Sequence, residues 1–264
     1  MKQRAVSWSF SVWLLLVLVF AAMPVRAGER LFQYSTIDAL LAGVYDGELT
    51  MGELLKHGGF GLGTFNTLDG EMVVVDGVAY HVTAGGKAVP APRDAKTPFA
   101  SVTDFDEDTI LKLAPAPNMK AFNAQLVKGL PSANAFYAIR IDGRFPWVKT
   151  RAIPGQTKPY RPLAELVKEQ VIVKYTNVEG TLVGLWSPAF VKGVNVPGFH
   201  WHFLNRERTA GGHVLDCAVD SVVAKVDQLL EFTVKLPAAG AFAGTDLTPD
   251  RSSELESVEK GPAQ

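Results

Sequence analysis

The stretch GFHWHFL at residues 198–204, followed by GGHVLD at residues 211–216, decides how this chain folds around its histidines. Aromatic and imidazole side chains alternate in the first segment. On a β-strand, this alternation places His200 and His202 on one face and the aromatic rings on the other. The paired glycines of the second segment predict a turn back, and His213 then opens the next strand. The pattern therefore predicts a hairpin that brings three imidazoles together.

Three clustered imidazoles are typical of a zinc site. Neutral ring nitrogens bind Zn²⁺ at about 2.0–2.1 Å, and metal binding gives a reason to cluster imidazoles whose joint protonation is unfavourable. Three protein ligands leave one coordination position open, which distinguishes a catalytic zinc from a structural one. His200, His202 and His213 are therefore predicted to bind a catalytic zinc ion in a cleft.

Two other interpretations of the histidine pattern stay open at this point. An H-x-H pair can arise by chance on a solvated strand face. A cupin barrel also carries H-x-H followed by a glutamate, and Glu207 lies at the corresponding offset after His202. Gly211 and Gly212 come too early for the glycine spacing of a cupin. A cupin-like metal-binding protein is therefore the minor alternative.

The remaining segments predict more strands than helices. Capping residues and apolar spacing predict helices at 37–44, 50–57, 118–128 and 162–168. Short turns are predicted within 71–83 at Asp76-Gly77, between 134–141 and 145–152 at Asp142-Gly143, and between 171–175 and 181–186 at Glu179-Gly180. Residues 90–98 are predicted to be a loop, and further strands are expected at 199–205, 212–219 and 229–236. This order favours an α+β fold with mixed and antiparallel sheets and a few helices.

The first 27 residues have the composition of a secretory signal peptide. Lys2 and Arg4 precede an almost wholly apolar run from Phe10 to Ala22, and Val25-Arg26-Ala27 resembles a signal-peptidase site. The apolar run is shorter than the roughly 20 residues that span a bilayer, which favours a cleaved signal over a membrane anchor. We therefore expect an exported protein, periplasmic or secreted.

Length and charge narrow the classes of fold and partner. The mature chain, residues 28–264, is long enough for one catalytic domain, with two sub-domains divided near residues 150–165 as an alternative. Loss of residues 1–27 leaves 23 basic and 27 acidic residues, a net charge of −4. This balance favours neither nucleic acid nor an anionic membrane as a partner. The sequence also lacks a phosphate-binding glycine loop and a dinucleotide fingerprint, which argues against nucleotide cofactors.

Several segments, in the same order along the chain, resemble the alpha-acetolactate decarboxylase family. The histidine segments at 198–204 and 211–216 carry the strongest similarity. The other matching segments are FQYST at 32–36, LLAGVYDG at 40–47, GLGTF at 61–65, LDGEM at 68–72, residues 145–151, and Gln156, Pro159 and Tyr160. The similarity extends over about residues 31–236, with a looser match in the tail.

The resemblance implies a carboxy-lyase that converts 2-acetolactate to acetoin and carbon dioxide, with zinc bound by the three histidines. It also implies that Glu71, from the LDGE segment, and Arg151, from the central stretch, belong to the site. The family further implies a homodimer.

A glutamate from the C-terminal tail also enters the site in this family. Glu259 is our choice, because residues 258–260 are most similar to the family ending. Glu254 and Glu256 are the alternatives.

The chemistry of acetolactate suits these residue types. Zinc can chelate the substrate's hydroxyl and ketone oxygens and stabilise the enediolate that forms as carbon dioxide leaves, an effect on the order of several kcal/mol. Protonation on one face of the enediolate yields a single acetoin enantiomer, and Glu71 and the tail glutamate are candidate acid–base groups. Arg151 can orient the departing carboxylate or donate a hydrogen bond to a proton relay.

Two other functions stay open from the sequence. An exported zinc hydrolase would use zinc-bound hydroxide on an ester or amide. A non-catalytic protein would use the histidines only to bind a metal or a ligand.

Overall fold

The computed structural model describes residues 29–260 of the chain, with side chains to Glu259. The signal peptide predicted for residues 1–27 lies outside the described residues. The α-helices are α1 (Ile37–Leu41), α2 (Met51–Leu54), α3 (Met119–Gly129), α4 (Leu163–Leu166) and α5 (Ser252–Lys260). The strands are β1 (Arg30–Tyr34), β2 (Leu49–Thr50), β3 (Phe60–Thr64), β4 (Glu71–Val75), β5 (Val78–Val82), β6 (Ala88–Pro90), β7 (Lys96–Thr97), β8 (Ala100–Thr103), β9 (Thr109–Leu113), β10 (Phe136–Ala152), β11 (Val171–Ser187), β12 (Gly198–Asn205), β13 (Gly211–Ala218), β14 (Val222–Leu229) and β15 (Glu231–Lys235).

The strands form two large sheets and one small one. The first sheet has seven strands in the order β15-β1-β8-β3-β4-β5-β6, and the second has six in the order β11-β12-β13-β10-β14-β9. In the second sheet β10 also pairs with β11, so β10, β11, β12 and β13 form a closed ring of strands. The β1–β15 pair is parallel and the other strand pairs are antiparallel. The predicted α+β class with mixed sheets and few helices is thus confirmed.

The predicted histidine hairpin is β12 followed by β13, but its turn lies at residues 206–210, and the predicted turn glycines Gly211 and Gly212 are the first two residues of β13. The two strands are antiparallel, and His202 lies directly opposite His213. On its other side β13 pairs with β10, where Arg151 lies opposite His213. Gly212, with φ of 147°, permits this close pairing, because a Cβ there would lie 2.8 Å from the carbonyl oxygen of Arg151. The register of three neighbouring strands thus fixes two histidines and an arginine side by side.

Two other predicted turns are wrong. Asp142-Gly143 lies within the continuous strand β10 and Glu179-Gly180 within β11, and Gly143 pairs with Gly180. Gly180 makes room for a neighbouring side chain rather than forming a turn, because a Cβ there would lie 2.6 Å from the ring of Phe203. Neither glycine has the positive φ that a tight hairpin turn requires.

Other local predictions agree with the structure to different degrees. The hairpin at Asp76-Gly77 is confirmed, with positive φ at both residues, and Asn118 caps α3 through a bond from the amide of Ala121. The strand predicted at 229–236 is wrong as one element, because β14 ends at Leu229 and β15 begins at Glu231. The loop predicted at 90–98 contains the end of β6 and the short strand β7.

The two large sheets pack face to face. One apolar cluster joins Leu62 of β3 and Val73 of β4 to Val183 of β11 and Leu204 of β12. A second apolar cluster joins α1, α4 and α5 beside the packed sheets. The sheet contact brings β4 beside the histidine hairpin, and the helices cover the space between them.

The last points concern how distant parts of the chain pair, how the chain divides into domains, and whether any helix could cross a membrane. β15, near the C-terminus, pairs with β1 at the start of the described chain. The possible sub-domain division near residues 150–165 stays a prediction. Among residues 29–260, no helix has the length and apolar character needed to cross a bilayer.

Candidate metal centre and acid–base site

The three histidines form a compact buried group. One ligand-capable atom from each of His200, His202 and His213 lies within 4.8 Å of the other two. The Nε2 atom of His200 is 3.1 Å from Nδ1 of His213. His202 and His213 are only 1% and 3% exposed. The hairpin thus produces the cluster that the alternation predicts, and its spacing suits a single metal ion.

The hydrogen bonding of His202 fixes which of its nitrogens can act as a ligand. Its Nδ1 lies 2.7 Å from the backbone carbonyl oxygen of Met72. A carbonyl only accepts hydrogen bonds, so Nδ1 carries the proton and donates it, leaving a lone pair on Nε2. That Nε2 is buried and has no hydrogen-bond partner among the described residues, and the same is true of Nδ1 of His200. Unpartnered buried nitrogens of this kind fit a bound metal cation.

The environment keeps the imidazoles neutral. Burial lowers the pKa of His200 to about 3 and that of His202 and His213 well below the ordinary value. The nearby Arg151 cation lowers the pKa of all three further. Neutral imidazole is the form that binds metals, so the electrostatics of the site agree with its geometry.

Two glutamates lie against the histidines. Oε2 of Glu71, at the start of β4, is 3.6 Å from Nε2 of His202, and Oε2 of Glu259, on α5, is 3.7 Å from Nε2 of His213. Burial raises the pKa of Glu71 to about 8 and that of Glu259 to about 7. A cation bound between them would lower both pKa values.

Arg151 completes the group from the neighbouring strand. It is 4% exposed, and its Nη2 lies 3.9 Å from Oε1 of Glu259. Its Nε and Nη1 are buried with no hydrogen-bond partner among the described residues. A buried guanidinium with free donors is costly unless it binds an anion, so Arg151 fits a carboxylate ligand.

The structure separates the three tail glutamates that the sequence leaves in competition. Glu259 alone of the three reaches the histidines, because α5 packs through Leu255 and Val258 against α1 and α4. The carboxylate of Glu254 instead contacts Arg251 at 3.2 Å. Glu256 lines a wide cleft next to the histidine group.

The site occupies a small cavity beside a large cleft. The cavity, about 40 Å³, is lined by the histidines, Glu71, Arg151 and Glu259, with apolar walls from α1 and α4. The cleft, about 1020 Å³, shares His213 and Glu259 with the cavity. These two side chains therefore lie at the boundary between the cavity and the cleft.

Sequence reasoning did not identify the carbonyl of Met72, which orients His202. A backbone group gives no residue-type signal, and this one comes from the opposite sheet. Only the packing of β4 on β12 reveals it. The six predicted residues, by contrast, all line one cavity.

The tail offers a matched test of which glutamate acts in the site. We expect Glu259→Gln to lower the turnover of 2-acetolactate, the substrate that the resemblance implies, roughly 10- to 100-fold in the metal-loaded protein. Loss of a group beside a metal ligand typically has an effect of this size. Glu254→Gln should stay within about two-fold of the wild type, because its carboxylate contacts only the helix start. Steady-state kinetics on the two variants measures this, and equal losses in both would contradict the assignment.

Comparison with known proteins places these residues in a family context. The family model described as "Alpha-acetolactate decarboxylase" matches residues 31–249. An alpha-acetolactate decarboxylase of Methanosarcina mazei is 46% identical over 235 residues, which cover 89% of this chain and 82% of the relative. The enzyme of that name from Bacillus subtilis is 40% identical, covering 89% of this chain and 92% of its own. A crystal structure of the Bacillus subtilis protein superposes with a TM-score of 0.85 at 38% identity, covering 88% of this chain and all of that chain.

Proposed function

The chain belongs to the alpha-acetolactate decarboxylase family, and from this premise we propose that it decarboxylates 2-acetolactate to acetoin through a zinc ion held by three histidines. Membership makes the protein a carboxy-lyase. One observation carries the zinc dependence: three buried imidazoles converge, two of them with an unpartnered nitrogen, beside a cationic arginine and two carboxyl groups.

The ligands in this proposal are His200, His202 and His213. The donated bond from His202 to the carbonyl of Met72 holds that ring in place for binding. When bound, zinc supplies a Lewis acid that stabilises negative charge developing on the ketone oxygen of the substrate. The burial of the histidines keeps competing protons from their nitrogens.

Arg151 binds the substrate carboxylate in this proposal. Arg151 lines the cavity that holds the histidines and has two unpartnered nitrogens, and a planar guanidinium matches a carboxylate through two parallel hydrogen bonds. The reaction breaks the bond between the carboxylate carbon and the hydroxyl-bearing carbon. Orientation by Arg151 therefore fixes which bond is cleaved and the direction in which carbon dioxide leaves.

The proton that completes the reaction comes from a carboxyl group. The electron pair of the broken bond stays on the substrate as an enediolate, and one proton added to the former carboxylate-bearing carbon gives acetoin. Glu71 and Glu259 are held on separate elements beside different histidines. Each can thus reach the enediolate from a fixed direction only, which supports formation of one acetoin enantiomer.

Three further parts of the proposal concern the context of the enzyme. Residues 1–27 act as a cleaved secretory signal, so that the mature enzyme is periplasmic or secreted. The enzyme forms a homodimer. Its substrate is a small molecule, and neither nucleic acid nor the membrane is a partner of the mature chain.

The direct test is to incubate the zinc-loaded protein with racemic acetolactate and follow carbon dioxide together with the chirality of acetoin. We expect stoichiometric carbon dioxide, an excess of one acetoin enantiomer and loss of both products after chelation. Ester cleavage by the zinc-loaded protein without any decarboxylation would instead identify a zinc hydrolase and contradict the proposal.

A further inference from the structure

The cavity that holds the histidines is too small for the proposed substrate in the conformation that the structure shows. Its volume of about 40 Å³ has room for about three water molecules, since each needs roughly 10–15 Å³. 2-Acetolactate is a five-carbon acid, and a metal ion must share the space with it. The neighbouring cleft cannot hold the reacting groups instead, because Arg151, His200 and His202 line the cavity and not the cleft. The cavity must therefore open before the substrate binds.

One wall of the cavity is attached less firmly than the others. Arg151 and the histidines lie on strands that are paired with their neighbours, whereas Val258 and Glu259 lie on α5. Within residues 29–260, the backbone amides and carbonyls of 236–259 form hydrogen bonds with no backbone group outside that segment. α5 can therefore move without breaking the pairing of any strand.

The segment that leads to α5 makes few contacts with the rest of the protein. Residues 236–250 include no buried residue, and neither does the 3₁₀ turn Gly240–Gly244 within them. Segments with few buried apolar contacts open at a lower free-energy cost than the core sheets of a domain. This stretch can thus act as a hinge for α5.

The apolar face of α5 is its main attachment. Leu255 and Val258 are 7% and 1% exposed, and they pack in one apolar cluster with Leu40 of α1 and Leu163 of α4. Val258 also lines the cavity and directly precedes Glu259 in the chain. The packing of Val258 therefore sets where the carboxyl group of Glu259 lies.

The polar contacts of α5 add little to this attachment. Lys192 and Asp250 pair at 2.8 Å, but both side chains are more than half exposed, and exposed ion pairs contribute little to stability. At the start of α5, Nε of Arg251 and Oγ of Ser252 are buried with no hydrogen-bond partner among the described residues. Water would satisfy both atoms if α5 moved outward, so their burial opposes the closed position.

We propose that α5 is a lid on the cavity and that Val258 is the residue that positions Glu259. The lid lifts from α1 and α4 to admit 2-acetolactate, and it closes to bring Glu259 beside the histidines. The identity of the ligand rests on the proposed function, whereas the motion of α5 follows from its attachment. Once lifted, α5 loses its helical structure, because a helix of nine residues is too short to be stable without packing.

Hydrogen exchange of the full chain, with zinc added, tests this motion without reference to activity. We expect the amides of α5 to exchange at least ~100-fold faster than those of β12 and β13, because opening exposes α5 while the sheets stay folded. Val258→Ala should accelerate the exchange of α5 about another 10-fold, since it removes buried methyl groups that hold the closed position. Mass spectrometry of peptic fragments resolves these segments. Equal exchange rates in α5 and β12 would overturn the proposal.

Val226→Ala is the matched control for hydrogen exchange. Val226 lies on β14, is buried like Val258 at 3% exposed, and packs in a different apolar cluster. Its replacement should leave the exchange of α5 unchanged, although it removes the same methyl groups from the core. If Val226→Ala accelerated α5 as much as Val258→Ala does, α5 would open only together with the whole domain, and the proposal would fail.

A double-mutant cycle tests whether Val258 acts through Glu259. Val258→Ala should lower kcat roughly 10-fold with zinc content unchanged, because a lid that is closed for less of the time completes the site less often. In a Glu259→Gln background the same change should cost less than about two-fold, since the group that the lid delivers is already missing. Equal losses in both backgrounds would remove the positioning role.

Exchange and turnover together separate the lid from the proposed chemistry. Fast exchange of α5 in a protein that does not decarboxylate 2-acetolactate would support the lid motion and overturn the proposed function. Turnover of 2-acetolactate by a protein whose α5 exchanges as slowly as β12 would support the proposed function and overturn the lid.

Discussion

Replacement of His202 by alanine should lower the turnover of acetolactate by ~10³-fold or more and abolish stoichiometric zinc binding. The reason is that His202 is a proposed ligand whose Nδ1 is committed to the carbonyl of Met72 and whose Nε2 is left unpartnered. Loss of a Lewis acid that contributes several kcal/mol to the transition state corresponds to about three or more powers of ten in rate. Zinc content after dialysis and kcat on acetolactate measure the two effects together.

The control for this variant is a histidine outside the site. His57 stacks on Phe32 with ring centroids 3.7 Å apart and belongs to none of the cavities around the metal centre. His57→Ala should keep its zinc and its turnover. A His202→Ala protein that keeps both would remove His202 from the ligand set.

Glu71→Gln should lower kcat by roughly 10²–10³-fold while zinc stays bound. Glutamine has the shape of the glutamate side chain but cannot exchange a proton, and a positioned acid–base group contributes about 10²–10⁴-fold to such reactions. The three histidines are unchanged in this variant, so metal content should match the wild type. The combination of full zinc with slow turnover separates a proton-transfer role from a role in metal binding.

An exposed glutamate serves as the comparison for Glu71→Gln. Glu53 pairs with Lys56 on the surface of α2, and Glu53→Gln should leave kcat and zinc content unchanged. If Glu71→Gln turned over acetolactate at the wild-type rate, Glu71 could not supply the proton. If it lost zinc instead, its carboxylate would be required for metal binding.

The histidine hairpin could be predicted from the sequence because its signal is local. Alternation with a period of two assigns side chains to a face whatever the strand later packs against. A glycine pair then predicts where the chain returns. The chain returns earlier than that pair, through residues 206–210, and Gly211 and Gly212 lie in β13 opposite Leu204 and Phe203, so the register that sets His202 opposite His213 was not predicted.

The turns wrongly predicted within β10 and β11 show what local patterns cannot predict. Asp142-Gly143 has favoured turn chemistry, yet Gly143 faces Gly180 within a long ladder. The reason for Gly180 is the ring of Phe203, more than twenty residues away in sequence. Whether a glycine allows a turn or makes room for a neighbouring ring depends on tertiary contacts that the local sequence does not contain.

The other three candidate site residues were predicted from the family resemblance rather than from spacing. Glu71, Arg151 and Glu259 lie far apart in the chain and converge only because β4 packs on the hairpin, β10 pairs with β13, and α5 folds back over the cavity. No periodicity connects them. The resemblance supplied these residues because a family motif preserves the result of that long-range packing.

The most direct measurement of the central claim is a titration of metal-free protein with zinc while acetoin formation is followed. We predict that turnover is negligible without metal, rises linearly with added zinc and reaches a plateau at one zinc per chain. Full turnover by rigorously metal-free protein, or turnover that does not respond to zinc, would contradict a decarboxylase whose three histidines hold the catalytic ion.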